Sequence, residues 1–259
     1  MKIIDAKHTL KIIDDKFSSG ERFHFTRFGD GDYFTLIDRS CHGSFPEGAI
    51  GTIAGRHNRF DVTAEYQNEL IESYNIDDPN YMIASIIGQK EFHFSYGKFL
   101  QGHVDEKCNE GILHKHEKFY CHHVFVHAFK HQISLVKNLI NTHIKNKRTM
   151  YIGDAVSENF EKLFGRVDVH VRTPETNSYA TIDEWWQHVE ASIDDVDIVF
   201  LCSGFSSRII SKRIWELDKD IICLDLGSIV SAIRGQLNRV WFQNDKKHFA
   251  TAAIMKKFE

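Results

Sequence analysis

The sequence predicts an α/β fold built on a mostly parallel sheet with helices on both faces. Two observations carry this. After Lys147 the chain reads as strand and helix in strict alternation, and the strands are short and rich in Val and Ile, with Ile198 to Cys202 and Ile221 to Leu224 apolar throughout. Strands apolar on both faces belong to parallel sheets covered on both sides, and such sheets bind ligands at the carboxyl ends of their strands. In order, the pattern places strands at Thr149 to Ile152, Val167 to Val171, Ile198 to Cys202 and Ile221 to Leu224. Helices at Ser157 to Phe164, Ile182 to Ile193 and Ser207 to Leu217 separate them.

The preceding half, about 1–147, is less regular. Helical spacing predicts a helix over Ala6 to Phe17, and alternation predicts a strand from Glu21 into Gly29. A helix around Val62 to Tyr74 and a strand over Tyr81 to Ile87 follow, and Glu91 to Cys121 reads as irregular. A long amphipathic helix is expected from about Val126 to Ile144, where Ile133, Val136, Leu139, Ile140 and Ile144 recur at helical spacing. With no repeat, no linker-like stretch and three prolines, the 259 residues are expected to fold as one unit, the second half covering about 148–259.

Composition narrows the class. Hydrophobic residues make up 42% of the chain, ample for a core, and a net charge of −4 supplies no global basic field for nucleic acid or an anionic membrane. Five cysteines without a Cys-x-x-Cys pair, no signal peptide and no membrane-length apolar run lead us to expect a reduced, cytoplasmic setting.

The chemistry is concentrated in Arg27-Phe28-Gly29-Asp30-Gly31-Asp32, directly after a predicted strand. Asp30 and Asp32 flank a glycine that allows close approach of a ligand, and hard carboxylate oxygens suit Mg²⁺ or Mn²⁺ carrying phosphates. Asp and Gly also make ordinary surface turns, so the hexapeptide alone leaves both readings open. The ends of the four later strands are small and polar: Gly153-Asp154, Arg172-Thr173-Pro174, Ser203-Gly204 and Asp225-Leu226-Gly227-Ser228. They suit a phosphate or ribose pocket, although βα turns have this composition in general. Neither Gly-x-Gly-x-x-Gly nor a Gly-Lys-Ser/Thr loop is present.

Three separated blocks together resemble the GT-D glycosyltransferases, metal- and nucleotide-sugar-dependent enzymes of bacteria and phages. Arg27 to Asp32 is similar to that family's Arg-Phe-Gly-Asp-Gly-Glu, and Pro174-Glu175-Thr176-Asn177-Ser178-Tyr179 to its Pro-x-x-Asn-Ala-Phe. Asp197 to Gly227, ending in Cys223-Leu224-Asp225-Leu226-Gly227, resembles its strand, Gly, helix and Leu-Asp-Ile-Gly-His. Order and spacing agree over roughly residues 20 to 228. Three departures stand out: Asp32 replaces Glu, Ser228 replaces a frequent His, and the loop Gly153 to Glu158 lacks an arginine that many members carry.

The resemblance implies a Rossmann-like, GT-D-like α/β fold and transfer of a sugar from a nucleotide diphosphate sugar, a UDP-sugar, with Mn²⁺ or Mg²⁺ as cofactor. It implies Asp32 as first metal ligand and Asp30 at the metal, at a metal-bound water or at the ribose. Arg27 is expected to neutralise the diphosphate or lock the acidic turn. Gly29, Gly31, Thr173, Asn177, Tyr179, Ser203, Gly204 and Asp225 are the expected donor-binding residues. Asp154, Glu158 and His57 are candidates for the general base, and the acceptor is a glycan, a protein or a hydroxymethylated base of phage DNA. The competing class is a nonenzymatic nucleotide-binding module, or a metal-dependent phosphoesterase using Asp30 and Asp32.

Three other features are read as structural. His114, His116, His122, His123, His127 and His131 crowd one region, the last three at helical spacing, without a His-Glu-x-x-His pattern, so a solvated or packed face is expected. Arg234, Arg239, Lys246, Lys247 and His248, with Trp241 and Phe242 among them, form a basic stretch that offers either a polyanion-binding surface or a solvated tail. Trp185-Trp186 reads as a core and rim pair.

Overall fold

A computed structural model describes residues 2–37, 63–88, 97–175, 177–237 and 240–259. Eight strands form one sheet in the order β1-β4-β3-β2-β8-β7-β5-β6, and every pairing is parallel. The strands are β1 (Lys2–Ile3), β2 (His24–Phe28), β3 (Tyr81–Ser85), β4 (Lys118–Cys121), β5 (Thr149–Gly153), β6 (Val169–Arg172), β7 (Ile198–Cys202) and β8 (Ile222–Asp225). The first half is therefore as regular as the second in its strands. Pairing of β2 with β8, His24 opposite Cys223 and Phe25 opposite Leu224, makes the two halves one continuous sheet.

Side chains alternate along the strands, as the pleat requires. Phe28, Ile83, Met150, Leu201 and Cys223 face one layer of helices: α2 (Asp30–Ile37), α3 (Ala64–Tyr74), α4 (Gly97–Asn109), α8 (Ile182–Ser192) and α9 (Ser206–Glu216). Phe25, Met82, Tyr151, Phe200 and Leu224 face the other. That layer contains α1 (Ala6–Ser19), α5 (Val124–His131), α6 (Ile133–Leu139), α7 (Glu158–Phe164), α10 (Ile229–Ile233), α11 (Val240–Gln243), α12 (Lys246–Phe249) and α13 (Thr251–Phe258).

Caps set several boundaries. The Asp5 side chain accepts the His8 N–H and Gly20, at φ 69°, ends α1; Thr63 and Ser157 cap α3 and α7 in the same way. Two expectations fail. Within the stretch expected to be irregular, Gly97–Asn109 is helical and Lys118–Cys121 is a strand, because Leu100 and Val104 and then Phe119, Tyr120 and Cys121 are buried by packing that a local reading does not register. The long helix is broken: Gln132, at φ −136°, separates α5 from α6, and Ile140–Ile144 continues as a π-helix without Gly or Pro to announce it.

Topology places the crevice. The chain leaves β2 toward α2 in the first layer and leaves neighbouring β8 toward α10 in the second. Similarly β7 feeds α9 and β5 feeds α7, on opposite faces. Loops that diverge in this way part above the carboxyl ends of the central strands, where α/β sheets bind ligands.

Candidate functional site at the carboxyl ends of the central strands

The acidic run is the start of a helix rather than an exposed turn. Gly29 accepts the first helical bond from Tyr33 N–H at 3.2 Å, and the Asp32 carboxylate reaches back to accept Gly29 N–H at 2.7 Å. This is the acidic half of a capping box, placed with a negative group at the positive end of α2. Asp32 is 2% exposed, which excludes a surface turn. Gly31 is required because a Cβ there would meet the Phe205 ring at 2.7 Å. Asp30 lies half-buried beside it, one carboxylate oxygen accepting Gly31 N–H at 3.0 Å.

Four buried charges run across the crevice in alternation. Arg208 donates toward Asp32 at 3.0 Å and stands 3.7 Å from Asp225; Arg27 binds Asp225 through Nε at 3.1 Å and the His122 carbonyl through Nη1 at 3.1 Å. Gly227 makes room for this: at φ 61°, its Cβ would fall 1.9 Å from the Arg27 guanidinium. Arg27 therefore ties the end of β2 to Asp225 at the end of β8 and to the His122 carbonyl, and makes no bond to Asp30 or Asp32 of the acidic turn.

Arg208 was not legible as a site residue. It sits in the first turn of α9, where a cation opposes the helix dipole, and it precedes the apolar pair Ile209-Ile210, so it reads as one more solvated position of an amphipathic helix. Packing decides otherwise. The small buried residues Ser206, Ser207 and Ser211 let α9 approach the sheet, and Ser211 bonds Thr26 (2.6 Å) and His24 (3.0 Å) on β2. That anchorage holds Arg208 over the strand ends, where Nη1 also donates to the Gly204 carbonyl at 2.6 Å.

The network is incompletely satisfied. Asp32 Oδ1, Asp225 Oδ2 and Arg208 Nε are buried with no hydrogen-bond partner. Burial pushes the Asp32 carboxyl up to about 6, against the opposing pull of Arg208 and of the Gly29 N–H, with the Asp225 and Asp30 charges adding to the rise. Unpartnered hard oxygens on two buried carboxylates fit a divalent cation of the Mg²⁺ or Mn²⁺ type.

The other expected residues divide. Thr173, Ser203, Gly204 and Asp225 close the ends of β6, β7 and β8 as expected, and Thr173 N–H is bonded to the Gly153 carbonyl at 3.1 Å. Asn177 adopts a left-handed φ of 50°, supported by Ser178, whose hydroxyl bonds the Ser203 carbonyl (2.9 Å) and Ser206 (2.6 Å). Tyr179 turns away from the strand ends. Its hydroxyl donates to Glu69 at 2.8 Å and its ring packs edge-on against Tyr66, beside a cleft lined by Thr63, Asn177 and Arg213.

Of the general-base candidates, Asp154 is bound to Arg234. Burial raises its pKa, but the Arg234 hydrogen bond and neighbouring backbone N–H groups outweigh this and hold it below the usual carboxylate value. Arg234 thereby brings to the Gly153–Glu158 loop the guanidinium that its sequence lacks. Glu158 pairs with Lys162, which lowers its pKa, and His57 lies outside the described residues.

In the basic stretch Arg234 is committed to Asp154, Lys246 and Lys247 are exposed, and Arg239 and the Trp241 side chain lie outside the described residues. Trp185 is buried, donating to the Ser178 carbonyl at 3.1 Å, and Trp186 is half-buried at the rim. Of the histidines expected on one helix face, His123 is the buried N-cap of α5, while the His127 and His131 rings lie 4.8 Å apart. Cys108, Cys202 and Cys223 are in no disulfide among the described residues, and Cys41 lies outside them. Among the described residues no helix is long and apolar enough to cross a membrane.

The α/β architecture of this chain is shared with a group of glycosyltransferase structures. One, described as a new glycosyltransferase (domain of unknown function 1792) from Streptococcus sanguinis, superposes with a TM-score of 0.59 over 97% of this chain and 86% of that one, at 16% identity. Another, described as the domain of unknown function 1792 with a distinct glycosyltransferase fold, gives a TM-score of 0.62 over 97% and 83%, at 14% identity. At such identities the likeness establishes the fold, as the resemblance in the sequence implied. No protein-family model and no curated protein matches the sequence.

Proposed function

We propose that this protein is a glycosyltransferase that moves a sugar from a nucleotide diphosphate sugar, a UDP-sugar, to an acceptor hydroxyl of a glycan, a protein or a hydroxymethylated base in phage DNA. The observation that carries the reading is the convergence of unsatisfied atoms of buried charged residues, Asp32 Oδ1, Asp225 Oδ2 and Arg208 Nε, at the crevice of a fold shared with glycosyltransferases. Buried polar atoms are nearly always paired, so three orphans in one network mark a place kept open for a ligand.

In the reaction the bond from the anomeric carbon to the diphosphate breaks, a bond to the acceptor oxygen forms, and the acceptor proton passes to a base. Asp32, with Asp30 or Asp225 beside it, would hold Mn²⁺ or Mg²⁺, which supplies electrostatic stabilisation to the departing diphosphate. Arg208, held by Asp32 and the Gly204 carbonyl, lies where a guanidinium can turn to phosphate oxygens. Arg27 keeps Asp225 in place. Ser203, Gly204 and Asn177 border the space for the nucleoside, and Gly204 is open above its Cα.

A thermal-shift panel of nucleotide sugars, with and without Mn²⁺, tests this. A ligand at 100 times its dissociation constant stabilises by about 2.7 kcal/mol, which for a chain of this size raises Tm by roughly 5–10 °C. The expected result is a shift with UDP-sugars that requires the metal, followed by slow metal-dependent release of free sugar and UDP. No shift with any nucleotide sugar overturns the proposal; a shift without turnover supports a binding module, and release of sugar phosphate supports a phosphoesterase.

A further inference from the structure

At the amino-terminal edge of the sheet, opposite the crevice, a second group of ligand-type side chains comes together. Asp77 lies between α3 and β3, and His114 and His116 lie just ahead of β4; one ligand-capable atom from each falls within 4.8 Å of the other two. Among the described residues no other group of three His, Cys, Asp or Glu does so. The histidines are two apart on an extended run, which sets both rings on one side, 4.6 Å apart.

The surroundings fix the rings as metal ligands are fixed. His116 Nε2 donates to the Tyr74 carbonyl at 2.6 Å. A carbonyl only accepts, so the proton is on Nε2 and the lone pair is on Nδ1. Ligating histidines characteristically give their other N–H to a carbonyl or carboxylate in this way. The His116 ring is further held edge-on against Tyr74 and Phe119. His114 is braced through its main chain, its N–H donating to Asn75 Oδ1 at 2.8 Å while Asn75 Nδ2 donates to the Ile112 carbonyl at 2.8 Å. One of the three ligand spacings is already that of a tetrahedral site, the others lying within 4.8 Å. Ligands about 2.0–2.1 Å from a tetrahedral zinc stand about 3.4 Å from one another, and His114 Nε2 lies 3.4 Å from Asp77 Oδ1.

We propose that Asp77, His114 and His116 form a binding site for a zinc-class divalent cation, with solvent in the fourth position. Two imidazoles and one carboxylate select Zn²⁺, Co²⁺ or Ni²⁺ over Mg²⁺. The site is chemically and spatially separate from the crevice, and the bound ion ties the α3–β3 loop to the segment entering β4.

The test is titration of the full chain, free of any polyhistidine tag and stripped of metal, with Zn²⁺ against a chromophoric chelator. One zinc per chain is expected, with millimolar Mg²⁺ failing to compete. His114→Ala and His116→Ala should each weaken binding tenfold or more and Asp77→Asn by less, while Asp32→Asn leaves it unchanged. His116 is partly buried; if its variant fails to fold by circular dichroism, the His114 and Asp77 variants decide. Wild-type protein that takes up no zinc at tens of micromolar, or a folded His114→Ala chain that binds as the wild type does, overturns the site. Because His114→Ala should also leave the Mn²⁺-dependent nucleotide shift intact, failure here is distinguishable from failure of the transferase proposal.

Discussion

Replacing Asp32 by Asn separates a carboxylate kept for a ligand from one kept for the fold. A carboxyl that ionises near 6 rather than 3.8 carries its charge at neutral pH at a cost of about 3 kcal/mol, at about 1.4 kcal/mol per pH unit. Below about 3.8 folded and unfolded chains both hold the proton and the cost is absent; between about 3.8 and about 6 the unfolded chain has released it while the folded chain keeps it, so stability falls across that window and levels off above it. Asn is a neutral replacement whose oxygen still accepts from Gly29 N–H and Arg208, and Asp225 remains 3.7 Å from that guanidinium. The variant is therefore expected to be more stable than the wild type, by up to about 3 kcal/mol at pH 7, roughly half of that at pH 5 and almost nothing below pH 4. It should at the same time lose Mn²⁺-dependent nucleotide binding. Urea unfolding of both proteins at the three pH values measures the first effect, and calorimetry with UDP and Mn²⁺ the second. A variant less stable at pH 7, as when a buried ion pair loses a partner it needs, would refute the reasoning and make Asp32 a structural residue.

The same carboxyl sets the pH dependence of metal binding: apparent Mn²⁺ affinity should fall about tenfold per pH unit below about 6 and level off above it, and a flat titration from pH 5 to 7 removes Asp32 from the ligands. Gly227→Ala should destabilise by about 3 kcal/mol or more in urea unfolding, because left-handed backbone costs an L-residue roughly 1–2 kcal/mol and the new methyl occupies the place of the Arg27 guanidinium; a loss under about 1 kcal/mol would show that Arg27 is not locked there. A Cβ at Gly204 meets nothing within 4 Å, so in Gly204→Val the added volume starts in open space, at some cost in stability from the left-handed φ of 63°. UDP affinity should drop tenfold or more in a chain that still melts cooperatively, and unchanged affinity by calorimetry removes Gly204 from the site.

What could be read from the sequence depended on how local each signal was. The strands of the second half are apolar runs at β7 and β8 and an apolar alternation at β6, and their boundaries shift by only one or two residues. The parallel first half was obscured because β1 is two residues long and β4 four, too short for periodicity to declare them. At the site, Asp32 and Asp225 were legible because carboxylates at strand ends are conspicuous. Arg208 was not, since its burial follows from Ser211 anchoring α9 on β2, a contact between residues far apart in the chain. The group formed by Asp77 with His114 and His116 was hidden for the same reason, one member standing well ahead of the other two.

A chain of four buried charges, Asp32, Arg208, Asp225 and Arg27, admits a purely structural explanation, in which two acids and two arginines neutralise one another and staple α9 to β2 and β8. That explanation makes a demand the network does not meet. Desolvating charges costs several kcal/mol for each ion, and a structural ion pair recovers this only when the remaining lone pairs and N–H groups are also satisfied. Here Arg27 is satisfied on both sides, by Asp225 and the His122 carbonyl, whereas Asp32, Asp225 and Arg208 each keep one unpartnered atom. The deficit falls on Asp32, on Arg208 and on the oxygen of Asp225 that faces Arg208, not on the oxygen that Arg27 holds. A staple would be expected to show the opposite. On the proposed function, Arg27 belongs to the scaffold and the other three face the ligand, which accords with the glycine that Arg27 requires lying just past β8 and the open glycine, Gly204, lying beside Arg208.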